Sequence, residues 1–146
     1  MLKAVAPGKS LTRIDGIPMP PSVNAIYFTR GKNRVLTTVG RTYKEDVKAL
    51  IIKDVMTKPA VEFKNVPMIL HLTFYFAQIE NKNYQKSGNR FKRIDVSNRI
   101  KILEDAIAET IGIDDCQFLC VIAEKGQAEI ESVTMEIYDA SSISSK

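Results

Sequence analysis

The sequence predicts a small α/β protein of the mixed α+β kind, in which one mixed β-sheet is packed by two main helices. Three observations support this prediction: apolar runs typical of strands, two stretches with helical apolar spacing, and a length of 146 residues. A chain of that length can bury a core as a single domain. Its composition, 45% hydrophobic and 26% charged residues, is ordinary for a globular protein. We therefore expect residues 1–146 to form one domain.

The first forty residues are predicted to supply short strands and tight turns. Residues 11–18, LTRIDGIP, predict a first strand, and residues 19–27, MPPSVNAIY, predict an extended turn because two prolines follow each other. Residues 27–38 carry Gly-Lys-Asn at positions 31–33. Glycine and asparagine accept turn backbone, so this stretch predicts two short strands joined by a turn.

The first long helix is predicted to begin at Thr42 and to end at Lys58-Pro59. Thr42 and Glu45 have the spacing of a capping box, in which each side chain bonds the backbone N–H of the other residue. Proline lacks the N–H that a continuing helix needs. The apolar residues at helical intervals are Tyr43, Val47, Leu50, Ile51 and Val55.

A strand inside the sheet is predicted at residues 67–77, PMILHLTFYFA. One face carries five large apolar side chains, and the other carries Ile69, Thr73 and Tyr75 around His71. Apolar side chains on both faces are typical of a strand that is covered on both sides. His71 is therefore expected to be a hydrogen-bonded sheet residue rather than a catalytic base.

The second helix is predicted over residues 97–111, where Gly112 ends it. Successive residues advance about 100° around a helix, which separates an apolar stripe from a polar one. The predicted core stripe is Ile100, Leu103, Ile107 and Ile111, and the opposite side carries Asn98, Lys101 and Asp105.

The C-terminal residues 117–140 are predicted to form a β-hairpin that turns at Lys125-Gly126. The serine-rich end of the chain and the first residues show no periodic pattern. We expect residues 1–9 and 140–146 to be flexible.

Cysteine usage and hydropathy favour a soluble cytoplasmic protein without membrane contact. Cys116 and Cys120, on one face of a predicted strand, would lie about 13 Å apart, beyond the reach of a disulfide. Reduced thiols are typical of the cytoplasm, and a single histidine makes a zinc site with them unfavourable. No apolar run reaches the roughly 18 residues of a membrane helix, and the N-terminus lacks the apolar region of a secretory signal.

A basic segment at residues 79–93 precedes the second helix. Its five cations and one carboxylate, Glu80, give it a charge of +4, equal to that of the whole chain. One interpretation is a solvated loop, and the other is a phosphate-binding arm with Tyr84 and Phe91 as base-contacting aromatics. We expect the segment to be mobile without a ligand. The predicted DNA-contacting residues are Lys82, Lys86, Arg90, Lys92, Arg93 and, on the helix, Asn98.

Acidic residues stand at both ends of the second helix. Asp95 precedes its first turn, and Asp114 and Asp115 follow its end. A structural interpretation makes Asp95 or Ser97 a helix cap, with the acidic pair as a turn and Lys101 paired to the acid four residues on. If Asp95 and Asp115 instead converge, a cation must offset their repulsion. Oxygen-only ligands suit Mg²⁺, and an ammonium group nearby could stabilise a phosphoryl transition state.

These residues follow a known pattern. Residues 93–101, Arg-Ile-Asp-Val-Ser-Asn-Arg-Ile-Lys, match (R/K)-x-D-x-(D/S)-N-x-x-K; Asp105-Ala106 and the D-D-x-Q of residues 114–117 follow. The sequence thereby resembles the RusA family of Holliday-junction resolvases, small endonucleases common in phages and prophages. PPSVNAIY at residues 20–27 and TTVGRTYKEDV at residues 37–47 extend the resemblance over roughly residues 12–138.

The resemblance implies a homodimer of mixed α/β subunits with two acidic sites, each cutting one of two opposed strands of a four-way DNA junction. It implies Mg²⁺, or Mn²⁺, as the cofactor. By position, Asp95 and Asp115 match metal-binding catalytic acids and Lys101 matches the catalytic lysine. Asp114 adjoins the site as a further metal ligand.

One departure from the family pattern leaves alternatives open. Ser97 stands where the best-known members have a second aspartate, so the site loses one formal charge. Asp114 or Asp105 could compensate. A protein that binds branched or single-stranded DNA without cutting it is the second hypothesis. A metal-dependent phosphatase for small phosphoesters is the third, although it gives the long basic segment no role.

Overall fold

A computed structural model of the protein describes residues 8–21, 23–56, 63–82, 88–94 and 96–140, without the side chains of residues 23, 24 and 56. Residues 1–7 and 141–146, predicted to be flexible, lie outside the described residues. The elements are β1 (Ser10–Ile17), α1 (Val23–Ile26), β2 (Tyr27–Arg30), β3 (Asn33–Leu36), α2 (Thr38–Met56), β4 (Met68–Phe76), α3 (Ser97–Ile111), a 3₁₀ helix (Asp115–Gln117), β5 (Phe118–Gln127) and β6 (Ser132–Asp139).

The main sheet has four strands in the order β1-β6-β4-β5, and β2 and β3 form a separate two-stranded sheet. β6 runs antiparallel to β1 and to β4, whereas β5 runs parallel to β4, so the main sheet is mixed. The two main helices, α2 and α3, pack against each other and supply core residues with the sheet. The predicted fold class, a small α+β domain with a mixed sheet and two main helices, is confirmed.

β4 lies inside the sheet, as predicted, because β5 and β6 pair with its two edges. Met68, Leu70, Leu72 and Phe74 are fully buried on one of its faces. On the other face, His71 is half-buried, and its Nε2 lies 3.4 Å from Oε2 of Glu124 on β5. β4 is therefore the strand around which the core and both neighbouring strands assemble.

The predicted C-terminal hairpin is wrong. β5 continues through Lys125 and Gly126, which pair with Phe74 and Tyr75 of β4, and the chain turns only at residues 128–131. β4 then stands between β5 and β6. The physical reason is that a buried strand needs hydrogen-bond partners along both edges, and a local β5–β6 hairpin would leave one edge of β4 unpaired.

The first long helix begins four residues earlier than predicted, at Thr38 rather than at Thr42. The cap is supplied by Thr37, whose Oγ1 accepts a hydrogen bond of 3.0 Å from the Gly40 backbone N–H. The Thr37 N–H donates to the Ile26 carbonyl at 2.9 Å, which ties this helix start to the end of α1. A Cβ at Gly40 would lie only 2.6 Å from that carbonyl oxygen, so the close approach requires glycine.

Residues 19–27 differ from the predicted extended turn because they contain the single helical turn α1. The two short strands that follow are confirmed. Their register pairs Tyr27 with Leu36 and Arg30 with Asn33. Gly31 has a φ of 63°, which glycine adopts without strain, and the turn between the strands depends on it.

The second helix is confirmed over Ser97–Ile111. Gly112 ends it with a left-handed φ of 73°, and its N–H donates to the Ala108 carbonyl. Of the predicted core stripe, Ile100 and Ile111 are only half-buried. The buried stripe is Ile102, Leu103, Ala106, Ile107 and Ala108, so the helix is rotated relative to the prediction.

α2 and α3 are joined by ion pairs at the surface of their contact. Lys44 Nζ lies 2.6 Å from Oε1 of Glu109, and Lys48 Nζ lies 3.4 Å from its Oε2. The hydrogen bond from Lys44 is the main reason that the pKa of Glu109 is lowered. These ion pairs add to the packing of α2 against α3, the helix that carries Lys101 and Asp105.

The two cysteines are free, but only Cys120 lies in a strand, because Cys116 belongs to the 3₁₀ helix. The prediction of both on one strand face is therefore wrong.

None of the helices in the described part of the chain is long and apolar enough to cross a membrane.

Candidate active site and nucleic-acid interface

The acidic pair after α3 forms a structured turn. Asp114 Oδ1 accepts a hydrogen bond of 3.2 Å from the Cys116 backbone N–H and so caps the 3₁₀ helix. That backbone hydrogen bond is the largest cause of the lowered pKa of Asp114. The side chain of Asp115, at the first position of the 3₁₀ helix, is exposed to solvent. Asp114 thus has a structural role in addition to its predicted metal role, whereas Asp115 is open to a ligand.

The glutamine of the D-D-x-Q sequence fixes the position of this turn. Gln117 Nε2 donates hydrogen bonds to the carbonyl oxygens of Phe63, at 2.9 Å, and Val66, at 3.2 Å. Both acceptors belong to the segment that precedes β4, and the 3₁₀ helix leads directly into β5. Gln117 therefore holds the start of two parallel strands together and sets where Asp115 stands.

Replacing Gln117 with alanine is expected to lower the free energy of unfolding by about 1–3 kcal/mol, because two carbonyl groups lose their donor. Urea denaturation monitored by circular dichroism measures this change. Cys116→Ala, in the same turn with an exposed side chain, is the matched control and is expected to change stability little. Equal stabilities for the two variants would contradict the anchoring role of Gln117.

α3 presents a lysine and two acids near Asp115. Lys101 is exposed, and Glu104 and Asp105 are half-buried. Burial raises the pKa of Glu104, and the charges of Asp115 and Asp105 raise it further, while Lys101 opposes the increase. Asp115, Asp105 and Lys101 are thus the charged groups that influence the Glu104 carboxyl group.

Glu104 is a residue that the sequence reasoning missed. The available signal was its spacing, since residues 97, 101 and 104 fall on one face of a helix at i, i+4 and i+7. Glu104 thus lies on the same helix face as Ser97, where the family pattern often has an acid. Its carboxyl adds negative potential on that face.

Asp105 faces a different neighbour. Burial raises the pKa of Tyr27, and the charge of Asp105 is the next cause, so Asp105 lies near the β2–β3 hairpin. Arg34 stacks over the Tyr27 ring with 4.9 Å between its Cζ and the ring centroid.

Among the ion pairs of the described residues, none joins Lys101 to Asp105. The predicted pairing of Lys101 with the acid four residues on is therefore not supported.

Asp95 lies outside the described residues, so its predicted meeting with Asp115 stays a prediction. Within the described ranges, no group of three or more histidine, cysteine, aspartate or glutamate residues is placed to hold a metal ion. The donor set near Asp115 consists of carboxylate oxygens, which suit a hard cation such as Mg²⁺. Burial is the main cause of the raised pKa of Glu104, and the charge of Asp115 is the second; a bound cation would oppose the second effect.

The N-terminus of α3 is suited to an anion. Val96 occupies the N-cap position, and its side chain makes no capping hydrogen bond. The first backbone N–H groups of a helix have no intrahelical acceptor, and together with the helix dipole they attract phosphate. Asn98, in that first turn, is half-buried and stays a predicted DNA contact.

The described parts of the basic segment form a short paired stem. The Asn81 N–H donates to the Arg90 carbonyl at 2.8 Å, and the Lys92 N–H donates to the Ile79 carbonyl at 2.9 Å. Glu80 and Arg90 also form an ion pair of 2.9 Å. Both side chains are substantially exposed, so the pair is weak, and the guanidinium can exchange its partner for a phosphate.

The cations of the stem are accessible. Lys82, Arg90, Lys92 and Arg93 are all exposed. Lys86 and the aromatic Tyr84 lie outside the described residues. Phe91 is 56% exposed, which is unusual for a phenylalanine and suits a side chain that contacts a base. The stem leads directly into the start of α3.

An α+β domain that combines this cationic stem with an acidic turn and a lysine-bearing helix has the components of a phosphodiester hydrolase that acts on nucleic acid. The family model described as endodeoxyribonuclease RusA matches residues 17–138, and the chain belongs to this family. The resemblance seen in the sequence is thereby confirmed. Membership implies nuclease activity of the Holliday-junction resolvase kind, directed at branched DNA in recombination. A search of curated proteins found no match.

Proposed function

We propose that this protein is a Mg²⁺-dependent, structure-selective endodeoxyribonuclease that resolves Holliday junctions and other branched DNA in recombination and repair. The observation that carries the proposal is the exposed Asp115, in a turn that Gln117 anchors to the segment before β4, together with the exposed Lys101 of α3. The basic stem that enters the same helix adds a surface for the phosphate backbone.

In the proposed mechanism, Asp95 and Asp115 hold the cation, with Asp114 adjoining them. When bound, Mg²⁺ lowers the pKa of a water molecule and offsets charge on the phosphoryl group in the transition state. The Lys101 ammonium group stabilises the negative charge that develops on the phosphoryl or leaving oxygens. Its exposed position gives it access to DNA. Mn²⁺ has similar ligand preferences and is expected to substitute.

The DNA is held by groups that precede and begin α3. Lys82, Arg90, Lys92 and Arg93 are exposed and available for phosphate oxygens, and Lys86 belongs to the same segment. Asn98, in the first turn of α3, contacts the phosphate nearest to the cleavage site, where the helix dipole also attracts an anion. These contacts read charge and shape rather than sequence, which suits an enzyme selected for branched DNA.

We further propose that two subunits act together as a homodimer, as the family resemblance implies. A four-way junction has two opposed strands that must be cut symmetrically to give two linear duplexes. Two identical sites related by a two-fold axis provide such paired cuts.

The direct test is to incubate the purified protein with end-labelled four-way junctions and either Mg²⁺ or Mn²⁺. Paired, symmetric nicks in opposed strands are expected, and a linear duplex of the same sequence is expected to stay intact. Persistent inactivity with both metals and with several junction sequences would contradict the proposal.

A second candidate function, binding of branched or single-stranded DNA without cleavage, is favoured by one observation. Ser97 provides no carboxylate where the family pattern often has one. In this second candidate function, the site does not hold a cation that supports cleavage, and the basic stem alone binds the DNA. Efficient junction cleavage by the unmodified chain would eliminate it.

Introducing the missing carboxylate tests whether a cation binds beside the start of α3. Ser97→Asp is expected to increase cleavage at limiting Mg²⁺ by about 10-fold, since one added charge near a cation is worth about 1 kcal/mol or more at the protein surface. A Mg²⁺ titration of the nicking rate measures the effect, with Ser97→Asn as the neutral control of similar size. No change in the metal requirement would contradict a cation site beside the start of α3.

A further inference from the structure

A cavity of about 470 Å³ lies between the end of β4 and the first turn of α3. Its apolar surface comes from Met19, Phe76 and Ile94, and its polar groups from Gln78, Lys92, Arg99 and Glu131. Small-molecule sites have this character, with apolar walls and a few convergent polar groups, in a volume of about 300–1,000 Å³. None of these residues has a role in the chemistry proposed above except Lys92, a predicted phosphate contact.

A second cavity of about 410 Å³ shares Lys92 and Ile94 with the first. Its other lining residues are Arg93, Val96 and Lys125. The two cavities therefore adjoin each other at Lys92 and Ile94. Together they expose four cationic side chains and one carboxylate, so the trough is positively charged and suits an anionic ligand.

Arg99 gives the first cavity its specific chemistry. Its guanidinium carbon lies 5.4 Å from the centre of the Phe76 ring, so the planar group is held against the aromatic side chain. Arg99 Nε is buried and has no hydrogen-bond partner among the described residues. A buried donor without an acceptor is costly, and an oxygen or nitrogen of a ligand in the cavity could accept this hydrogen bond.

The part of the rim that follows the end of β4 is held by hydrogen bonds of backbone N–H groups. The Ala128 N–H donates to the Phe76 carbonyl at 3.0 Å, and the Ala77 N–H lies 3.4 Å from Oε2 of Glu131. Gln78, beside them, offers an amide donor and an amide acceptor. A flat ligand that stacks on the Arg99 guanidinium would meet these hydrogen-bonding groups at its edge.

We propose that this cavity receives one unstacked nucleotide of the branched DNA, with its base against Arg99 and its phosphate toward Lys92. This inference rests on the proposed function and deepens it by assigning a subsite for an unpaired nucleotide next to the cleavage position. Bases stack on arginine guanidinium planes as well as on aromatic rings. A duplex is far too wide for the cavity, whereas a single base at a branch point has lost a stacking neighbour and costs less to extrude.

A phosphate alone would not use the apolar wall or the edge groups. The cation pair Lys92 and Arg99 would hold a phosphate equally well without Met19, Phe76 and Gln78 beside it. The combination of a guanidinium stacking plane, apolar wall and amide edge is what a nucleobase requires.

The test is a scan of four-way junctions in which one nucleotide at a time near the branch point is replaced by an abasic analogue. Affinity is measured by fluorescence anisotropy without divalent metal, so that no cleavage occurs. For the unmodified protein, the abasic analogue is expected to lower the affinity for the junction at one position in each pair of arms. The expected decrease is about 10-fold or more, the usual contribution of one stacked base. In Arg99→Lys, which keeps the charge and loses the plane, that loss is expected to disappear.

Gln78→Ala is a second variant, because it changes the cavity edge without touching the Arg99–Phe76 contact. It is expected to reduce the same abasic effect. Arg41→Lys makes the same chemical change at an exposed position of α2 and is expected to retain the full abasic effect. A flat abasic profile in a chain that cleaves junctions would overturn the subsite and leave the proposed function intact. Failure to bind or cleave any junction would overturn the proposed function itself.

Discussion

Asp115→Asn is expected to reduce junction cleavage by at least about 100-fold at saturating Mg²⁺, the usual scale for loss of one group that acts directly on the reacting charge. Asparagine keeps the size of the side chain and removes its charge, so a cation loses one of its proposed carboxylate ligands. Because Asp115 is exposed, the substitution is expected to change the free energy of unfolding little. Single-turnover cleavage of a labelled junction measures the effect.

Junction binding without metal is expected to survive the same change. Removing a negative charge does not weaken the attraction of the basic stem for phosphates. Asp46→Asn, at an exposed position of α2, is the matched control and is expected to leave cleavage unchanged. Unreduced cleavage by Asp115→Asn would remove Asp115 from the catalytic site.

Lys101→Met is expected to lower the rate of cleavage by about 100-fold without raising the Mg²⁺ concentration required for half-maximal activity. The physical reason is that an ammonium group acting on the transition-state phosphoryl charge contributes to the chemical step and not to metal ligation. Lys101→Arg retains the charge and is expected to recover part of the rate. A Mg²⁺ titration of single-turnover rates for all three chains separates the two effects.

The matched control for Lys101 is Lys53→Met, at an exposed position of α2. It removes the same charge from the protein surface away from α3. If Lys101→Met instead weakened only DNA binding and its salt dependence, Lys101 would be a phosphate contact like those of the basic stem.

Local patterns in the sequence predicted most of the fold. The alternation in β4, the two-residue turn at Gly31 and the glycine stop at Gly112 each depend on neighbouring residues, and each is found in the structure. The pairing of β5 with β4 could not be predicted in this way. It depends on which strand edges are free once the core forms, and two consecutive strands most often form a hairpin.

The start of α2 at Thr38 is a second feature that local sequence patterns do not predict. The Thr42–Glu45 spacing favours a helix start at Thr42, whereas the helix begins at Thr38. The hydrogen bond from Thr37 to the end of α1 sets the earlier start, and that contact exists only in the folded chain.

The candidate site was predictable where it follows a linear motif and not where it depends on packing. The D-D-x-Q sequence identifies Asp115 as a candidate site residue. It does not reveal the anchoring of Gln117 to Phe63 and Val66, because these residues are more than fifty positions away in the chain. Arg99 likewise has the ordinary appearance of a helix-surface cation in the sequence. Only its stacking on Phe76 and its place in the cavity distinguish it from other arginines.

The account as a whole depends on Asp95 and Asp115 sharing one cation. Crystals grown with Mn²⁺, and data collected at the manganese absorption edge, measure this most directly. We expect one anomalous peak in each subunit, about 2.1 Å from a carboxylate oxygen of each of these two residues. Separate positions for the two carboxylates, with manganese bound by neither or by only one of them, would contradict the proposed nuclease site.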